Sequence, residues 1–407
     1  MRKIAYGLAL FLLFIIPWED SVSILTVGSI ARLVGFVAAA FWGATMLLEG
    51  RFRKPNLFHA FVLLFFVWNF ISLFWSIEIE NTLQRIKTYG QVFLLMLLYW
   101  DVLQKPENLK ASLQAYIFGC YVLIISTIYN YMNGNAAVVY EGRYSATGIN
   151  ANELSLILII GLPIAMHLYL KAGYGKERKA LKLLNLLFIP LAIYSTALSG
   201  SRTSIIAIIP FGLYVIGTQQ IGFLRKMAIS MLFLISLLVL VPYIPQSVLS
   251  RLGTIGSSIG EGDLGGRLTL WTEGIEVLAQ HPVLGIGSGG AISSIGSAVH
   301  NTFISIAVET GIIGLILFLS ILGIVLYRVL NLPKESSGLW LAVLAIWVIG
   351  VLTLSWEFRK LTWIVLSFVI IEASFFDAVV TPKANALFSK TAIQVSEQPI
   401  HCSLLTT

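Results

Sequence analysis

An all-α bundle of about twelve membrane-spanning helices is the fold class this sequence predicts, and three observations predict it. Of 407 residues, 57% are hydrophobic and only 12% charged, with a mean hydropathy of +0.86. A soluble globular chain carries about 25% charged residues, so this one lacks the charge to cover a large soluble core. The apolar residues come in runs of about 15–25, which is bilayer-crossing length for a helix. No period-two alternation marks transmembrane strands, and irregular backbone does not span lipid, so the runs are helices.

Taken in order, the runs place spans near 4–18, 24–48, 57–75, 89–104, 109–132, 151–170, 183–199, 203–218, 224–243, 301–328, 339–355 and 360–376. The first begins with Arg2 and Lys3, as a signal peptide does. No small-residue cleavage site precedes Pro17-Trp18-Glu19-Asp20, so a first membrane helix is expected instead. Polar gaps are short except for 133–150 and 244–300. The second is rich in Gly and Ser and reads as a functional loop inside a single helical domain, 1–376. A polar tail, 377–407, completes the chain.

The net charge is +7. In a soluble protein that excess would raise nucleic acid as a partner. Here it sorts by membrane side, so membrane lipids are the expected surroundings and nucleic acid is not a partner. With alternating spans, 18 of the 27 Lys and Arg fall on the side of the N-terminus, eight on the other, and Arg32 inside a span. Positive residues concentrate on the cytoplasmic side, so both termini are expected there. The two cysteines, Cys120 in an apolar run and Cys402 in the tail, offer neither a disulfide framework nor a metal site. The four Asp are scattered, with no Asp-x-Asp for a divalent cation, and no His/Cys cluster suits zinc. No metal or other cofactor is expected.

Candidate chemistry gathers on the face opposite the termini. Arg202 lies in Ser199-Gly200-Ser201-Arg202-Thr203, a tight turn between spans, where a guanidinium surrounded by amides and hydroxyls suits a phosphate. Gly265-Gly266-Arg267 leads into Leu268–Gln280, whose apolar positions Leu268, Leu270, Trp271, Ile275 and Leu278 predict an amphipathic helix at the membrane surface. Arg267 stands at its N-terminus, where anions are favoured. The run His281-Pro282-Val283-Leu284-Gly285-Ile286-Gly287-Ser288-Gly289-Gly290 is not a Walker sequence. Its Gly285 and Gly287 would let the backbone approach a ligand. His300-Asn301 opens the next span, at a depth where a histidine titrates near neutrality and can act as a general base. Glu309, nine residues on, is an acid inside an apolar helix and half a turn out of phase with His300; Arg32 is a conceivable partner for it. Arg85, Lys87, Arg359 and Lys360 read as short-loop cations beside Glu78, Glu80 and Glu357.

At these residues the chain resembles the bacterial O-antigen ligase and polymerase superfamily. His300-Asn301, nine residues, then Gly311-Ile312-Ile313-Gly314 is similar to its His-[Asn/Ser/Gln]-x9-Gly-x-x-Gly pattern. Gly266-Arg267…Trp271…His281-Pro282…Gly285-Ile286-Gly287 resembles the block upstream, as do Ser201-Arg202-Thr203 and Gly142-Arg143…Gly148…Asn150-Ala151-Asn152-Glu153. The resemblance is strongest over about 195–330. It implies a GT-C-like, metal-independent, inverting membrane glycosyltransferase of the cell envelope, with its active face periplasmic in the inner (cytoplasmic) membrane. The donor would be an undecaprenyl-diphosphate-linked glycan, the acceptor lipid A–core or a similar glycan, as in lipopolysaccharide biosynthesis. By similarity Arg202 and Arg267 bind the diphosphate and His300 serves the acceptor hydroxyl, while Arg143, Asn301, Gly285, Gly287 and Glu309 are substrate-binding candidates. Some ligases continue the motif with Thr-Thr; here Leu315-Ile316-Leu317-Phe318 follows. An O-antigen or exopolysaccharide polymerase is therefore the alternative, ahead of a protein O-oligosaccharyltransferase, a transporter or a non-catalytic assembly partner. A transporter would scatter polar groups near the midplane.

Overall fold

The computed structural model describes residues 1–24, 28–137, 142–171, 176–217, 241–253 and 266–377, with isolated positions between 222 and 235. The predicted span at 224–243 lies largely outside these, and the tail beyond Asp377 lies wholly outside them. Eight described helices are long and apolar enough to cross a membrane. The protein is a polytopic helical membrane protein.

The helices are α1 (Arg2–Ile15), continued by a 3-10 turn Ile16–Ser21, α2 (Ile30–Glu49), α3 (Leu57–Ile71), α4 (Ile79–Val102), α5 (Pro106–Met132), α6 (Ala151–Lys171) and α7 (Lys176–Leu198). Then come α8 (Arg202–Ala207), α9 (Ile209–Gly217), α10 (Gln246–Gly253), α11 (Arg267–Gln280), α12 (Ala291–Ile295), α13 (Thr302–Leu330), α14 (Lys334–Val351) and α15 (360–377). A two-stranded turn, Ser23–Ile24 against Gly28–Ser29, precedes α2, so that helix starts six residues later than the sequence predicts. The expected span at 203–218 is two short helices meeting at Ile208, ahead of Pro210. Proline lacks the donor that would continue the ladder. α4 begins ten residues before its predicted span because its first turns are polar and carry Arg85 and Lys87. The loop 244–300 contains α10, α11 and α12.

Ion pairs lie in two layers, as alternating helices require. At one end Arg2 bridges Glu49 at 2.9 Å and Asp101 at 3.0 Å, Lys171 pairs with Glu335, and Arg328 with Asp377. At the other, Arg359 meets Asp20 at 2.8 Å and Glu153 at 2.6 Å, Lys360 pairs with Glu19, and Arg85 lies 3.6 Å from Glu309. Between the layers the core is apolar and aromatic, centred on Phe65, Phe318, Trp347 and Trp363.

α13 is broken at Gly311 (φ 68°, ψ −172°), and the segment 282–287 threads the break. A broken helix in lipid leaves backbone groups that must find partners. Here Ile286 N–H donates to the Val308 carbonyl at 3.0 Å and Gly287 N–H to that of Glu309 at 2.9 Å. The Trp68 indole donates to the Thr310 carbonyl at 2.9 Å, and Ile312 N–H to that of Pro282 at 2.9 Å. This changes the reading of the glycine run. A Cβ on Gly285 would lie 2.6 Å from the Glu309 carbonyl, and one on Gly287 would lie 2.5 Å from the Ser76 Cα. The two glycines let one piece of this chain approach another.

Candidate functional site

The Ser199–Arg202 turn is built by hydroxyls. Ser199 Oγ donates to the Thr196 carbonyl at 2.6 Å, lies 2.5 Å from Ser155 Oγ, and accepts from Ser201 N–H at 3.3 Å. Gly200 takes φ 61°, in the left-handed region that glycine enters cheaply. Arg202 follows as the first residue of α8, half-buried. Arg143 ties this turn to the start of α6: its Nε donates to the Ser199 carbonyl at 2.7 Å and its Nη2 to Asn152 Oδ1 at 2.9 Å. It is 7% exposed. Bonded in this way, it clamps the turn to α6. Asn150 Oδ1 accepts from Asn152 N–H at 2.8 Å, which fixes the first turn of α6 and with it Glu153.

His300 is the one described non-glycine residue with positive φ, at 53°. That conformation turns the chain sharply into α13. Asn301 then caps the helix, its Oδ1 accepting from Phe303 N–H at 3.0 Å and Ile304 N–H at 3.2 Å. An Asn cap satisfies donors that a helix start leaves open. The Asn301 side-chain oxygen is thus used internally. Thr302 Oγ1 donates to the Leu354 carbonyl at 2.8 Å and accepts from Trp356 N–H at 2.8 Å; Ser305 Oγ donates to Glu357 Oε1 at 2.9 Å. These contacts hold the α14–α15 connection against α13. From that connection Arg359 reaches Glu153. Polar contacts thus run from Thr302 and Ser305, just after His300, by way of Arg359 to Glu153, and from the adjacent Asn152 through Arg143 to the Ser199–Arg202 turn.

Arg267 opens α11 behind Gly266 (φ 77°). Helix α11 packs on one face, and Leu268 and Ile275 of the predicted apolar set lie outside it. Gly274 lets it lie against Ile304, Val299 and Val308, and Trp271, Val277 and Leu278 pack on the same small cluster. Ile275 on the other side is 55% exposed. This packing brings Arg267 within electrostatic reach of the half-buried His300. Burial first, and the Arg267 cation second, lower the His300 pKa from its ordinary value, while Glu153 pulls the other way. That shift favours the neutral ring, the form that can take a proton.

Glu309 is not a substrate contact in this arrangement. It is 2% exposed, pairs with Arg85 rather than Arg32, and faces the amides of Gly289 and Ala291. Arg85 also stacks on Phe358, 3.7 Å from the ring centre. Nearby, burial pushes the Glu357 carboxyl up to about 7, with Arg85 opposing and Glu309 adding to the rise. Arg85, Arg359 and Lys360 thus pair with acids remote in sequence, not with the neighbours expected of them. Sequence reasoning gave neither Glu153 nor Arg359 a role at the site. Glu153 stood only as the end of the Asn150–Glu153 block, and Arg359 only as one of the Arg359-Lys360 pair on the face otherwise poor in cations. Among the described residues no three His, Cys, Asp or Glu side chains gather as a metal site.

Residues 186–319, about a third of the chain, match the family model described as O-Antigen ligase. The match takes in Arg202, Arg267, Gly285, Gly287, His300, Asn301 and Glu309 and leaves out Arg143, Glu153 and Arg359. No curated protein matches the chain.

Proposed function

We propose, taking as premise the match of residues 186–319 to the family model described as O-Antigen ligase, that this chain is a ligase-type membrane glycosyltransferase. It moves a glycan from an undecaprenyl-diphosphate carrier onto the hydroxyl of a lipid A–core or similar acceptor. The observation that carries the reading is the half-buried His300, which feels both the Arg267 cation and the Glu153 carboxylate. The acceptor hydroxyl gives its proton to the neutral imidazole as its oxygen bonds to the anomeric carbon. The bond from that carbon to the diphosphate breaks on the opposite side, inverting the centre. The diphosphate departs carrying the electron pair, its charge met by Arg267 and Arg202. Two guanidiniums then do what a divalent cation does elsewhere, stabilising charge as it develops. The His300 layer faces the periplasm and the Arg2 layer the cytoplasm of the inner membrane, a reading supported by the bias of Lys and Arg.

The test is transfer by the purified protein from a lipid-linked glycan. Arg267→Ala and Arg202→Ala should each lower turnover by about 10²–10³-fold, the usual cost of one lost charge-stabilising donor. Lysine should restore little, since it cannot grip two oxygens at once. Full activity in either alanine variant would remove the diphosphate assignment.

A pH profile probes the base. Activity should rise with pH through the pKa of His300, since only the neutral ring accepts a proton. Glu153 raises that pKa, so Glu153→Gln should move the acid limb to lower pH. A limb that stays in place or moves up contradicts the assignment.

The polymerase reading uses the same site and is favoured by Leu315-Ile316-Leu317-Phe318, where some ligases carry Thr-Thr. A deletion separates the two. Long glycans that accumulate on the lipid carrier and never reach the surface identify a ligase; single repeats at the surface without long chains identify a polymerase.

A further inference from the structure

Glu153, the acid that acts on His300, is itself held by a guanidinium. Arg359 Nη2 donates to Glu153 Oε1 at 2.7 Å and to Oε2 at 2.6 Å, while Nη1 donates to Asp20 Oδ2 at 2.8 Å. Three elements meet there: the first turn of α6, the 3-10 turn after α1, and the connection from α14 to α15. The Asp20 side chain is 40% exposed, and water takes part of its charge. That of Glu153 is 15% exposed and depends far more on Arg359.

The same connection reaches the start of α13. Trp356 N–H donates to Thr302 Oγ1 at 2.8 Å, and its indole Nε1 makes a long bond of 3.4 Å to Glu153 Oε1. Trp356 thus touches both the first turn of α13, two residues past His300, and the Glu153 carboxylate. Where Glu153 stands relative to His300 depends on how this connection is held.

Charge separates a strut from a tuning device. Asp20, Glu153 and Glu19 stand against Arg359 and Lys360, so one negative charge in the group is left over. The charged groups that act on His300 are Arg267 from α11 and Glu153 from α6, and they pull the ring in opposite directions. A pair that only joined α6 to α15 would leave His300 indifferent to its charge. Here the carboxylate of the pair is the one whose charge reaches the ring.

We propose that Arg359 is a positioning residue for the transfer reaction: it holds the Glu153 carboxylate in the place from which it acts on His300, and it offsets part of that carboxylate's charge. The proposal rests on the reading of His300 as the base. With Arg359 in place, Glu153 steadies the imidazolium that forms when the acceptor hydroxyl gives up its proton, without protonating the ring beforehand.

The pH dependence of kcat/KM for transfer by the purified full-length protein tests this in Arg359→Gln, Glu153→Gln and the double variant. Without Arg359 the carboxylate acts on His300 unopposed and the ring keeps its proton to higher pH. The acid limb should therefore rise by about half a pH unit or more in Arg359→Gln. Glu153→Gln moves it the other way. In the double variant neither partner is left as an orphaned charge, and the limb should coincide with that of Glu153→Gln, since Arg359 has nothing left to act through. The position of the limb does not depend on how much of each variant folds. A limb that stays put or falls in Arg359→Gln, or that rises by the same amount in the Glu153→Gln background, overturns the role of Arg359 and leaves the histidine reading standing. Full kcat in His300→Asn overturns the histidine reading, and this proposal with it.

Discussion

His300→Asn should lower transfer by about 10²–10⁴-fold, the range that a positioned general base supplies, while the protein still folds and still binds the lipid-linked donor. The choice of asparagine follows from the backbone. With φ 53°, His300 occupies a region that L-residues enter rarely and that asparagine tolerates better than alanine. Alanine would remove the imidazole and strain the turn at once, so a loss would not say which mattered. Asparagine keeps the turn, and with it the Asn301 cap and the start of α13, and removes only the base. The measurement is kcat for transfer beside a donor-binding assay. Unchanged kcat in His300→Asn would remove the base from the mechanism. Loss of donor binding together with kcat would mean that the residue shapes the turn instead.

The second large effect is structural. Gly311→Ala should leave little folded protein in detergent. A Cβ at that position would stand 2.0 Å from the Val283 carbonyl oxygen, and φ 68° with ψ −172° is ground that only glycine occupies freely. The conformational term alone is about 1–3 kcal/mol, and relieving the clash would expel 282–287 from the break. The control is Gly323→Ala on the same helix, where an added Cβ meets nothing within 4 Å. That change should leave the unfolding temperature the same or slightly higher, since alanine favours helix. Equal yields and melting temperatures for both variants would contradict the threaded arrangement.

The cationic and basic side chains of the site were legible in the sequence because each opens an element. Arg202, Arg267 and His300 stand at the first turn of α8, at the first turn of α11 and one residue before the cap of α13, the first two directly behind a run of Gly or Ser that announces a turn. Glu153 and Arg359 were not legible, since their pairing joins residues 206 apart and no local pattern encodes it. The same holds for Glu309, whose partner Arg85 comes from α4. Gly285 and Gly287 were misread for another reason. A glycine declares that something approaches closely, but not what. Here it is the Glu309 carbonyl and Ser76. Hydropathy found the spans wherever they were uniform and failed where polar turns extend them, as in α4, or a proline divides them, as at α9.

The break in α13 also bears on how the protein enters the membrane. A helix delivered alone into lipid would have to be continuous, because the carbonyls of Val308, Glu309 and Thr310 and the amide of Ile312 would otherwise have no partners, at several kcal/mol each. Two of those partners are backbone amides of the preceding loop, and a third is Trp68 of α3, which is synthesised far earlier. The span between His300 and Arg328 therefore crosses as an unbroken rod and opens only after α3 and the 282–287 segment reach it. Seating 282–287 in the break also brings α11 down beside His300. Crossing of the span and seating of 282–287 in its break are therefore expected as separate events.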